Sequence, residues 1–285
     1  MADSLTVQIL DEARLEAQRF AEFASLPFHQ QKWRGSAGEM AGSGVGSSVD
    51  FHDQRLYAPG DDPRHINWQA FARSGDYQMK LYREEVRPEL ILLLDASASM
   101  TAYPAKARRF AELLYFALAS SAKVGAHVQT FLVGGDDFRL LDPSALETHS
   151  WLDEFHQLAA KSQTAPAIGA FPLRPKSMRL FISDLLYPAD PEEILKPLNH
   201  QSAHTMVIAP QAKEESDPDW AGNYQFHDPE TGRDTPMNIA PEARQRYLDA
   251  YRDHLGNWQR ACTRQRCTFV TAPAAEPLEA LASSF

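Results

Sequence analysis

From residue 90 onward, short apolar runs rich in β-branched residues and leucine alternate with amphipathic stretches of helical period. That alternation is the pattern of a parallel sheet with helices on both faces. The runs are Leu90 to Leu94, Val128 to Val133, Met178 to Ile182, Thr205 to Ala209 and Thr268 to Thr271, which predicts five strands. The first is apolar throughout, as a central strand buried on both faces should be. Between the runs, Ala105 to Ser121 carries Phe110, Leu113, Leu114, Ala117 and Leu118 at three-to-four spacing. Tyr247, Leu248, Tyr251, Leu255, Trp258 and Cys262 repeat that spacing in a last long helix whose aromatics are expected in the core. Asp142 before Pro143 and Asp190 before Pro191 each place an N-cap ahead of proline at the first helical position. Residues 3 to 23 predict a leading helix.

Two segments fall outside the alternation. Residues 35 to 89 are punctuated by Gly35, Gly38, Gly42, Gly44, Gly46 and Gly60, which reads as turns and short strands. Gln211 to Pro241 reads as a surface excursion, with a hairpin suggested by Asn223 to Phe226 and the Asp228 to Gly232 run. The expected organisation is a leading helix segment at 1–34, a small β-rich N-terminal module at 35–89 and an α/β domain at 90–285 with the excursion at 211–241. Within the module, Pro59-Gly60 predicts a type II turn, and Asp61 and Asp62 are expected to meet Arg64, with Arg55 and Arg73 as further ion-pair partners. Trp68 and Phe71 are expected to form the module's core, so that losing Trp68 would cost it most.

Composition narrows the function classes. The 285 residues hold 28 Lys and Arg against 38 Asp and Glu, a net charge of −10 that repels phosphate backbones and anionic lipid, so no nucleic-acid partner is expected. Cys262 and Cys267 are neither a metal-ligand quartet nor a disulfide framework, which points to a reducing compartment and inert thiols. No apolar run approaches the ~18 residues that a spanning helix needs, and no basic segment leads into an apolar one at the N-terminus. The expectation is a cytoplasmic protein without direct membrane insertion.

The candidate chemistry follows the first strand. Asp95-Ala96-Ser97-Ala98-Ser99-Met100 lies at a strand's carboxyl end, where open α/β sheets bind ligands. A carboxylate and two hydroxyls at i, i+2 and i+4 can converge on one hard cation, and magnesium suits such oxygen donors. Asp184 occupies the equivalent place after the Met178 to Ile182 run, and Thr164, with Ser162 as its competitor, offers a further oxygen. Other chemistries lack their motifs. No histidine pair has the helical Glu of zinc hydrolases; His200 and His204 share only the spacing. Glycines 42, 44 and 46 give G-x-G-x-G without a preceding apolar strand, and neither a P-loop nor G-x-S-x-G occurs.

D-x-S-x-S after a hydrophobic strand, a threonine in a later loop and an aspartate after a further strand resemble the metal-ion-dependent adhesion site of von Willebrand factor A-type domains. The stretch from Asp50 to Trp68, followed by Ala72-Arg73, is similar to the signature of the bacterial domain of unknown function 58 family. Asn67 stands where aspartate is more usual, and the membrane-spanning N-terminal helices of many members are not seen. The resemblance implies a von Willebrand factor A-like, doubly wound, mainly parallel sheet. It implies Mg2+ or Mn2+ held by Asp95, Ser97, Ser99, Thr164 and Asp184, with a partner's Asp or Glu completing the shell. Arg55, Tyr57, Gly60, Asp61, Asp62, Arg64, Trp68 and Arg73 become family-signature or docking candidates. The implied partners are a MoxR-type AAA+ ATPase and other von Willebrand factor A-type proteins, in a non-enzymatic adaptor role in chaperone-like assembly. The alternative is a metal-dependent hydrolase or phosphotransferase with Asp95 as nucleophile; it lacks a second carboxylate at i+2 and an evident general base, a group usually worth about 10²–10⁴-fold.

Overall fold

The structure is a computed structural model that describes residues 5–28, 50–83, 87–162 and 164–285. The glycine-rich stretch through residue 46 lies outside the described residues. The chain divides into two compact units, one formed by Met1–Lys32 with Pro88–Phe285 and the other by Trp33–Arg87. In the larger unit the leading helix α1 (Val7–Ala21) starts where the Thr6 hydroxyl accepts from the Ile9 amide. Leu10, Ala13, Ala17 and Phe20 recur at helical spacing and are fully buried, so this segment is part of the larger unit's core.

The smaller unit pairs β1 (Asp50–Leu56) with β2 (Gln78–Arg83) in an antiparallel ribbon, with the short helix α2 (Trp68–Ser74) between them. Pro59-Gly60 makes the expected turn: the Asp61 amide donates to the Ala58 carbonyl, and Gly60 takes φ of 107°, which β-carbon sterics close to other residues. The ion pairs sort differently from the expectation. Asp61 takes Arg55 in a bidentate pair at 2.6 and 2.7 Å, and Asp62 alone takes Arg64, at 2.7 Å. These bonds hold both carboxyls below their usual range, Asp62 at about 2. Arg73 lies exposed near the end of α2, and Tyr57 is half-buried.

Trp68 is not the module's core. It is 59% exposed, whereas Ile66, ahead of α2, and Met79 of β2, joined by an isolated antiparallel bridge, are buried. The Asn67 side chain caps α2 by accepting from the Ala70 amide, which makes Trp68 the first residue of a two-turn helix. Its ring meets those of Phe71 and Tyr77 in T-shaped contacts, and those two stack on each other at 4.5 Å.

The larger unit is mixed α/β around a central, mainly parallel sheet. Its elements run β3 (Glu89–Asp95), α3 (Pro104–Lys123), β4 (His127–Gly134), β5 (Asp137–Leu140), α4 (Pro143–Thr148), α5 (Trp151–Ala159), β6 (Met178–Ile182), α6 (Pro191–Asn199), β7 (His204–Gln211), α7 (Lys213–Ser216), β8 (Gly222–His227), β9 (Asp234–Ile239), α8 (Pro241–Gln265) and β10 (Thr268–Pro273). The sheet order is β10-β7-β6-β3-β4-β5, with β5 antiparallel at the edge. The five runs are thus the five parallel strands, and β5 is an unexpected sixth. Leu90, Leu92 and Leu94 pack on one face among residues of α1, α3 and α5. Ile91 and Leu93 pack on the other with Ile194, Leu198 and Trp258. At about 1.5–3 kcal/mol for each such side chain fully buried, β3 is the axis of the core. Asp142 and Asp190 cap α4 and α6 as expected, accepting from Ser144 and Glu192 amides. The excursion is a hairpin, β8–β9. No described helix is long and apolar enough to cross a membrane.

Candidate functional site

The chain leaves β3, runs out to β4 and β5, and returns to β6 on the other side of β3. Such a reversal opens a crevice beyond the strands' carboxyl ends. Asp95 ends β3 there, and Ser183-Asp184 follow β6 directly.

Asp95 is 1% exposed. Its Oδ1 accepts from the Ser97 amide at 2.9 Å and its Oδ2 from the Ser183 hydroxyl at 2.5 Å. Burial, and then the nearby Asp184 charge, push its carboxyl up to about 7 against the pull of those bonds. Ser97 and Ser99 bring their hydroxyl oxygens to 3.1 Å from each other. After β6, Leu185 holds φ of 62°, an uncommon conformation for a bulky residue, costing on the order of 1–3 kcal/mol. It is fixed from three sides: its side chain is fully buried, its amide donates to Ser183 Oγ, and its carbonyl lies 2.7 Å from His254 Nε2.

Asp184 has its own cation. Lys106, fully buried in the first turn of α3, donates to Asp184 Oδ2 at 2.9 Å and to Glu215 Oε1, while the Leu186 amide donates to Asp184 Oδ1. Burial lowers the Lys106 ammonium and the two carboxylates more than reverse it. At Glu215 burial outweighs the lysine, and the carboxyl is raised. The two directions agree once one cation is shared by two acids. A fourth carboxylate arrives from the hairpin: Glu230 Oε1 accepts from the Ser99 amide at 2.8 Å and Oε2 from the Ala98 amide at 3.3 Å.

Residues 53–256 match the family model described as protein of unknown function DUF58. The chain belongs to that family. No curated protein matches. Among solved structures, the DUF58 chain is similar to an aerotolerance-related membrane protein from Bacteroides fragilis carrying multiple mutations to serines. Identity there is 12% and the TM-score 0.32, over 63% of this chain and 98% of that one. It is also similar to the conserved hypothetical protein BatB from Bacteroides thetaiotaomicron, at 15% identity and TM-score 0.38, over 69% and 96% of the two chains.

The residues of this DUF58 site suit a small hard cation. Magnesium holds octahedral oxygens at 2.0–2.1 Å, so neighbouring ligands stand about 2.9 Å apart; Ser97 and Ser99 Oγ are 3.1 Å apart. Lys106 is shared between Asp184 and Glu215, and Asp95 lies close enough to Asp184 to feel its charge, so one ammonium serves more than one acid here. The Tyr187 hydroxyl is buried close to Ser183 without a well-formed hydrogen bond, and burial and the Asp95 charge push it well up. The donors are hydroxyl-rich; among the described residues no group of three or more His, Cys, Asp and Glu side chains forms a metal cluster. Thr164 and Ser162 both stand beside the β4 end, Thr164 Oγ1 against Gly135 and Ser162 Oγ against Gly134. Ser162 is buried. The signature residues Arg55, Tyr57, Gly60, Asp61, Asp62, Arg64, Trp68 and Arg73 belong to the smaller unit. Sequence reasoning passed over Lys106, Ser183, Glu215 and Glu230.

Proposed function

We propose that this protein is a non-enzymatic, cation-dependent interaction module of von Willebrand factor A-like type, with Asp95, Ser97 and Ser99 holding Mg2+ or Mn2+. The observation that carries the reading is the pair of serine hydroxyls 3.1 Å apart beside a buried carboxylate. Bound there, the ion supplies an electrophilic position that a carboxylate fills. Asp95 contributes charge, with its two oxygens fixed by the Ser97 amide and the Ser183 hydroxyl. Asp184 adds negative potential while Lys106 keeps it in place. Thr164 stands at the same end of the sheet as a further oxygen donor. The partner class that the family resemblance implies is a MoxR-type AAA+ ATPase, or another von Willebrand factor A-type protein, presenting an Asp or Glu.

Calorimetric titration of Mg2+ and Mn2+ into metal-stripped protein tests the site. One saturable site, lost in Asp95→Ala and weakened in Ser97→Ala with both variants folded, is the expected result. Absence of binding in the wild type refutes the proposal.

A further inference from the structure

Glu230 occupies the turn between β8 and β9, and Asp228 shapes that turn: its carbonyl accepts from the Gly232 amide and its carboxylate from the Thr231 hydroxyl at 2.6 Å. The turn therefore does not need the Glu230 carboxylate. That carboxylate instead reaches the loop after β3, 131 positions away in sequence, and takes the amide of Ser99, the residue whose hydroxyl stands beside that of Ser97. The hairpin behind it is largely exposed along both strands. The Trp220 ring, just before β8, lies 4.9 Å from both Phe226, near the turn end of that strand, and Tyr247 of α8.

Resting on the cation site proposed above, we infer that Glu230 is the chain's own carboxylate for that ion, and that the β8–β9 hairpin is a built-in competitor that an outside carboxylate displaces. Each Glu230 oxygen spends one acceptor position on a backbone amide. A carboxylate offers about four such positions, so acceptor capacity is left on both oxygens. Asp184 also accepts one bond on each oxygen, but one of its donors is the buried Lys106 ammonium, which already offsets its charge. The hairpin would thus bring to the serine pair the ligand that a partner brings from outside. Displacement breaks the two hydrogen bonds that the Ala98 and Ser99 amides donate to Glu230 and leaves the β8–β9 ladder intact.

The test uses the full chain as wild type, Glu230→Gln and Asp95→Asn. Mn2+ is titrated by calorimetry, then a blocked Gly-Glu-Gly peptide is titrated into the Mn2+-loaded proteins. Glu230→Gln is expected to weaken Mn2+ roughly 10-fold and to bind the peptide roughly 10-fold more tightly than wild type, because the competing state is removed. Glutamine still offers a carbonyl oxygen to the Ser99 amide, so a merely structural cap would leave both affinities unchanged, and that result overturns the inference while the cation site stands. Mn2+ binding absent from the wild type overturns both. Loss of Mn2+ binding in Asp95→Asn, together with weakened Mn2+ and tightened peptide binding in Glu230→Gln, is the result that supports the inference.

Discussion

Lys106→Met is the sharpest perturbation the site offers. The ammonium is fully buried, 2.9 Å from Asp184 and bonded to Glu215, which is 7% exposed. Methionine keeps the length and apolar stem but leaves two carboxylates, with Asp95 nearby, in a site without a cation. Removing one partner of a buried ion pair costs about 3–5 kcal/mol, a large part of the ~5–15 kcal/mol that holds a typical domain. Urea unfolding at pH 7.5 should show that loss. The pH dependence adds a second reading. In the wild type a lysine held above its ordinary value adds stability that is complete below about pH 10.4 and fades as pH rises through the folded value. In Lys106→Met the Glu215 carboxyl, already raised by burial, loses the lysine that offsets it, so the folded state binds more protons than the unfolded one above about pH 4, and stability rises as pH falls toward that value. Lys106→Met with Glu215→Gln should recover part of the loss at pH 7.5, since glutamine keeps an acceptor for the Ala212 amide. A loss under about 1 kcal/mol at pH 7.5, with no gain on acidification, would refute the reasoning, because it would mean that water already solvates these carboxylates.

Two further outcomes follow from local physics. Burial pushes the Cys262 thiol up to about 12 and Cys267 to about 11, so iodoacetamide at pH 8 should leave both unmodified in the native protein and label both in denaturant, as mass spectrometry would show. Unfolded thiols ionise near pH 8.5, so these groups should lower stability as pH rises from about 8 toward 11, and calorimetric melts across that range check the sign. Gly60→Ala forces a β-carbon into φ of 107° and should cost about 1–3 kcal/mol, read as faster hydrogen exchange at the Asp61 amide that closes the turn; exchange unchanged from wild type would count against the strained turn.

The five parallel strands are legible because each is an apolar run bounded by polar residues, and the proline-preceding aspartates mark two helix starts through a local bond that needs no tertiary context. β5 is four residues long, with only Phe138 partly buried, so its apolar signal is weak. A turn signal was nonetheless present: Gly135 takes φ of 54° in the Gly-Gly-Asp-Asp stretch that precedes the Phe138 and Leu140 alternation. Trp68 misled by its size. A large ring predicts a core only when enough chain surrounds it, and a two-turn helix beside a two-stranded ribbon leaves it 59% exposed.

The site divides along the same line. Asp95, Ser97, Ser99 and Asp184 are readable because strand ends can be found from the runs, and ligand positions in this architecture are strand ends. Lys106, Glu215 and Glu230 reach the crevice from a helix, a four-residue turn of helix and a hairpin, and each reads locally as a solvated charge. Lys106 did leave a trace: it lies four residues before Phe110, on the apolar stripe that continues through Leu113, Leu114 and Ala117. A charge on such a stripe must either be carried out of the core by its own flexibility or find a counter-charge inside it, because an unpaired ion is too costly to bury. The side chain of Lys106 is fully buried, so the second alternative holds, and its position on the stripe implies buried acids from elsewhere in the chain. Asp184 and Glu215 are those acids. The sequence can announce that a buried counter-charge must exist, but its partners come from β6 and α7, and only the fold brings them to the same end of α3.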